Sequence, residues 1–133
     1  MTYEEARDEI YSVFLAAWGN RPVIWSDMFS RVPDETQPWA RVILRHTLGE
    51  QGSLSGVSGS KVLDRGGILL VQVFTPSGRG QTISYELAQL VSNAFVDAKK
   101  EVWFRNTRIS EKGVNGSSYQ IDVLTDFLYN EVR

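Results

Sequence analysis

The chain's one histidine, His46, is where chemistry would start, because imidazole changes charge near neutral pH and serves as a general base or metal ligand. Its surroundings in the sequence supply no helpers. There is no HxH or HExxH spacing, no second histidine and no cysteine, and the nearby serines sit in a Gly/Ser-rich stretch instead of a GxSxG elbow. A catalytic site requires several matched groups, so His46 reads as a strand residue. The glycine-rich segment 52–60 invites comparison with a phosphate-binding loop. That loop needs Gly-Lys-Ser/Thr entering a helix, whereas Gly59-Ser60-Lys61-Val62 enters a strand pattern. Asp97, Glu101, Asp122, Asp126 and Glu131 match no calcium-loop spacing, and most of them are expected on solvent faces. The sequence therefore predicts no catalytic, cofactor-binding or metal-binding residue, and a protein that is not an enzyme.

Arginines and tryptophans remain as carriers of function. Arg41 and Arg45 share one face of an alternating segment, and Arg65, Arg79, Arg105 and Arg108 add to that face if their strands are neighbours. Such a group is a solvated face with scattered ion pairs, a nucleic-acid surface, or an intersubunit surface, where arginine is enriched. Of the four tryptophans, Trp18 is expected in the core, and Trp25 and Trp103 are candidate interface anchors. The interface candidates are thus Trp25, Arg41, Arg45, Arg79, Trp103 and Arg105. The Gly/Ser-rich loop 49–60, with Gly52, Ser53, Leu54, Gly56 and Gly59, is expected to be flexible and to order on meeting a partner.

Composition bounds these readings. A chain of 133 residues has interior enough for one domain, and 42% apolar with 23% charged residues is ordinary for a globular fold. A formal charge of -2 gives no sign of a protein that grips phosphates, so the expected partners are proteins. The absence of cysteine removes disulfides and thiolate sites. The start, MTYEEARDEI, is acidic where a signal peptide would be basic, and no apolar run approaches ~20 residues, so neither export by that route nor a membrane span is expected.

The elements that must position these residues follow from periodicity. Tyr3, Ala6, Ile10, Val13, Phe14, Ala17 and Trp18 predict an amphipathic helix, started by a Thr2/Glu5 capping box and stopped at Gly19 and Pro22. A short extended piece, 22–25, precedes an irregular stretch containing Pro33 and Pro38. Residues 39–48 alternate as a strand with one wetter face. Residues 61–75 are apolar on both faces between Ile68 and Phe74, so something must cover the second face. Ile83, Leu87, Leu90, Val91, Ala94, Phe95 and Ala98 predict a second helix with Thr82 as its N-cap. Strands 102–109 and 118–128 close a hairpin around the turn 111–116, signalled by Asn115-Gly116. The expected fold is α+β, a single domain with a mostly antiparallel mixed sheet and two helices packed on one face.

Several segments together resemble a known family. They are Trp18-Gly19-Asn20-Arg21-Pro22-Val23 after the first helix, Trp39-Ala40-Arg41-Val42 opening a strand, Arg65-Gly66-Gly67 opening the next, and 71–80, Val-Gln-Val-Phe-Thr-Pro-Ser-Gly-Arg-Gly, before the second helix. In combination they resemble the tail terminator proteins of long-tailed bacteriophages, the lambda-like family, from residue 1 to about Phe95. The resemblance implies a hexameric ring on the head-proximal end of the tail tube, assembled in the host cytoplasm and carried in the virion. Such a ring stops tube growth and offers a surface for head joining. The implied partners are copies of itself, the tail tube protein and a head-tail connector or neck protein, with genome DNA only in transit through the channel. It implies no cofactor and no membrane. Another neck or head-tail joining protein is the nearer alternative, and a small ligand-binding domain or enzyme the more distant one.

Overall fold

The computed structural model describes residues 1–25, 37–51, 62–78, 82–116 and 118–132. Two helices and five strands follow one another as α1 (Tyr3–Trp18), β1 (Val23–Trp25), β2 (Trp39–Gln51), β3 (Val62–Pro76), α2 (Thr82–Asp97), β4 (Trp103–Asn115) and β5 (Ser118–Val132). The strands form one sheet in the order β1-β2-β3-β5-β4. The β1–β2 pair is parallel and the other three are antiparallel, so the fold is α+β with a mixed, mostly antiparallel sheet, as the periodicity predicts. No helix among the described residues is long and apolar enough to cross a membrane.

α1 is fixed at both ends by its sequence. The Thr2 hydroxyl accepts from the Glu5 amide and the Glu5 carboxylate accepts from the Thr2 amide, both at 3.2 Å. Those bonds hold the Glu5 carboxyl below the usual carboxylate range. Thr2→Ala removes one side of this reciprocal cap and is expected to cost about 1 kcal/mol, read as a lowered urea midpoint with unchanged slope. At the other end Gly19, with φ 72°, turns the chain in a conformation that glycine alone adopts without strain, and its amide bonds the Leu15 carbonyl. The Trp18 indole N–H then donates to the Pro22 carbonyl at 3.2 Å. The Arg21 guanidinium donates to the Trp18 carbonyl at 2.8 Å, a cation at the negative end of the helix dipole. The Trp-Gly-Asn-Arg-Pro segment is thus a helix stop whose parts hold one another.

Both helices pack on one face of the sheet. Ala6, Ile10, Val13, Phe14 and Trp18 from α1 and Leu87, Ala88, Val91 and Phe95 from α2 meet Ala40, Val42, Leu69, Val71, Val73, Ile121, Val123 and Phe127 in one core. Thr75 and Ser84, both buried, bond through their hydroxyls and tie the end of β3 to the first turn of α2.

Element order agrees with the sequence expectation, and the ends need correction. β2 continues to Gln51, so residues 49–51 of the expected loop are strand. The remainder, including Gly52, Ser53, Leu54, Gly56 and Gly59, lies outside the described residues, as does Arg79. β4 runs to Asn115 and β5 to Val132, which confines the expected 111–116 turn to the last residues before Ser118. Thr82 is the first residue of α2 and not its cap.

Candidate assembly interface

Side chains alternate across a sheet, so the pairing register states which residues share a face. Opposite the helices, three rows cross β2, β3, β5 and β4 in turn. They are Arg41, Gln72, Asp122 and Ser110; Ile43, Leu70, Leu124 and Arg108; and Arg45, Ile68, Asp126 and Arg105. Beyond the third row, Leu128 pairs with Trp103. No described helix lies on this side. Ile24, Trp39 and Phe74 form a small buried cluster on it, whereas Trp103 is 58% exposed and Ile68 39%, and Ile43, Leu70, Leu124 and Leu128 are half-buried. Contiguous exposed apolar surface rimmed by polar groups is the usual mark of an interaction site.

The structure gathers most of the interface candidates here. Arg41, Arg45, Trp103 and Arg105 all stand on the bare face, and Arg108 joins them. Arg41 lies over the stacked rings of Trp39 and Phe74, 5.8 Å from each, and its guanidinium donates to Gln72 Oε1 at 3.5 Å. Arg108 meets Asp126 at 3.5 Å, and Gln120 donates to the buried Asp122 at 2.8 Å. Arg45 and Arg105 are exposed. Arg105 and Leu128 help to line two clefts of about 250 Å³ each, one bounded by Ile68 and Asp126 and the other by Trp103 and Asn130.

Trp25 and Arg65 sit elsewhere. Trp25 lies on the helix side, stacked on Tyr11 at 4.3 Å and edge-on to Phe14 at 6.1 Å, where it packs β1 against α1. Arg65, which joins the basic face only if its side chain points there, is on the helix side and pairs with Glu131 at 3.4 Å. The expectation of solvent-facing carboxylates fails at Asp122 and Glu131, which are buried with hydrogen-bonding partners.

His46 occupies a strand, as expected, and has partners distant in the sequence. Its Nε2 lies 2.7 Å from the Tyr129 hydroxyl, Tyr3 stacks on it at 4.0 Å, and Phe127 meets it edge-on at 5.2 Å. Arg65 covers the other ring, 5.4 Å from the centre of Tyr3. The cluster pins the start of α1 to β2 and β5. Burial, with the Arg65 charge added, pushes the His46 pKa below its ordinary 6.5 despite the opposing pull of Glu131. Burial likewise raises the Tyr129 hydroxyl. A histidine with a depressed folded pKa binds fewer protons folded than unfolded, so stability holds above the unfolded value and is lost as pH falls from about 6.5 toward the folded pKa. Urea midpoints at pH 7.5 and 5.5 should differ more in the wild type than in His46→Gln. Equal differences contradict this account of the cluster.

No family model matches the chain, and no curated protein does. A solved structure whose name states no activity superposes over 100% of this chain and 99% of its own, with a TM-score of 0.67 at 12% sequence identity. What this chain shares with it is the fold.

Proposed function

We propose that this chain is a tail terminator of a long-tailed bacteriophage: a subunit of a hexameric ring that caps the tail tube, ends its growth and presents the surface for head joining. The observation that carries the assembly reading is the bare sheet face, where Ile43, Leu70 and Leu124 form an apolar row that ends in Arg108 and lies between rows bearing Arg41 on one side and Arg45 and Arg105 on the other. Among the described residues the helices lie on one side of the sheet only, Trp103 and Ile68 on the other are exposed in a lone subunit, and closed symmetric assembly is the usual way to cover such a surface. The resemblance supplies the rest: the ring, the tail tube and connector proteins as partners, passage of DNA through the channel, and a place at the head-proximal end of the virion tail.

Termination demands asymmetry. One end of the ring binds the last tube subunits, and the other must refuse further ones, since a head-to-tail contact offered at both ends continues the polymer. Arginines suit this choice, because charge attracts one surface and rejects another. The test is polymerisation of the phage's tail-tube protein with and without this chain. Tubes should stop growing and carry a ring at one end. Tubes of unchanged length with no bound ring would refute the terminator reading, and a ring bound only to the connector would favour a neck protein.

A further inference from the structure

The fold presents two surfaces of opposite character. On the bare face Asp122 is buried and held by Gln120, and Asp126 is engaged by Arg108, so the charge that reaches outward is carried by the exposed Arg45 and Arg105. On the far side of the molecule α2 turns outward an unusual surface for a helix end to end free of cations. Between Thr82 and Asp97 there is no Lys or Arg, and the carboxylates Glu86 and Asp97 lie among Ile83, Leu90 and Val96, which are 42%, 40% and 62% exposed. Ile83, Glu86, Leu90 and Asp97 follow helical spacing along one stripe. The next cations, Lys99 and Lys100, lie past the C-terminal end of the helix.

We propose that the bare sheet face of one subunit seats the outer side of α2 of the next copy. A helix is what this sheet already accepts on its other face. The cleft bounded by Ile68, Leu128, Arg105 and Asp126 offers room for an aliphatic side chain such as Leu90, beside the arginines that meet Glu86 and Asp97. Two bare faces meeting each other would instead bring Arg45 and Arg105 against their own kind, which like-charge repulsion opposes. The contact is therefore heterologous, sheet to helix, and closes by rotation into a ring. This assignment rests on the ring reading above and adds which surfaces meet.

Two variants test it. Arg45→Glu with Arg105→Glu makes the sheet face acidic, and Glu86→Arg with Asp97→Arg makes the helix face basic. All four positions are exposed, so circular dichroism should show both variants folded. Each variant alone then opposes like charges at every contact and should lose about tenfold or more in association, read by native mass spectrometry. Mixed in equal amounts, the acidic sheet faces the acidic helix only within one variant, and across variants each contact regains opposite charges. The mixture should restore a ring of alternating subunits, which closes at an even number. A wild-type ring with either variant alone assembling normally, or with the mixture staying dissociated, overturns the face assignment and leaves the ring standing. A wild type that never associates, with or without tail tubes, overturns both.

Discussion

Trp18→Ala is expected to cost about 3–5 kcal/mol, the range for deleting a large aromatic side chain from a core that relaxes only in part. Trp18 is wholly buried, stacks on Phe14 at 5.6 Å, and closes α1 through its indole bond to Pro22. The substitution therefore leaves a cavity under both helices and frees the Pro22 carbonyl and the segment leading into β1. Domains of this size are stable by about 5–15 kcal/mol, so the variant keeps a fraction of that margin. Urea unfolding followed by far-UV circular dichroism reads the loss. A change below about 1 kcal/mol would mean that the first helix does not hold the core in the way described.

Gly67→Ala is the second large effect, and its cause is backbone. β2 and β3 approach so closely at the bulge between His46 and Leu48 that a Cβ on Gly67 would overlap the Arg45 carbonyl. No flexible side chain can give way there. On the other side of β3, a Cβ on Gly66 would fall 2.5 Å from the Phe127 carbonyl oxygen. The Gly66-Gly67 pair thus lets β3 sit tightly between β2 and β5, and it stands where the row carrying Arg45 and Ile68 begins. Overpacking usually costs about 1–3 kcal/mol, and a clash with backbone belongs at the upper end, about 3 kcal/mol. Gly67→Ala should lower the urea midpoint accordingly, and assembly should weaken with it because Arg45 and Ile68 are displaced. A variant as stable as the wild type would show that the strands can part without cost.

Where sequence and structure agree, the signal was local. α1 carries its cap, its apolar stripe and its stop within twenty residues, and Ile68 to Phe74 declares a central strand by being apolar on both faces. The strand ends were hidden for a physical reason. Glu111, Lys112 and Val114 lie on the edge strand β4, exposed, and an exposed edge imposes no alternation that a reader could follow. The partners of His46 and Arg65 were out of reach because they depend on register: Tyr129 is 83 residues from His46, and Glu131 is 66 from Arg65. The basic face was half legible. Arg41 and Arg45 announce a shared face by spacing alone, but only the placement of β5 between β3 and β4 sets Arg105 and Arg108 beside them, while alternation along β3 puts Arg65 on the helix side with Leu69, Val71 and Val73.

The sheet face that no described helix covers is the proposed assembly surface. It is tested by the mass of the particle, by native mass spectrometry and electron microscopy, for the wild type and for Ile68→Glu. Ile68 is 39% exposed on that face, so a glutamate there should leave the fold intact while placing a carboxylate in the contact, against the acidic helix of the next copy. The expected results are a closed ring for the wild type and a folded monomer for Ile68→Glu. A wild type that stays monomeric even with tail tubes present, or an Ile68→Glu variant that assembles as well as the wild type, would show that this face is not the assembly surface.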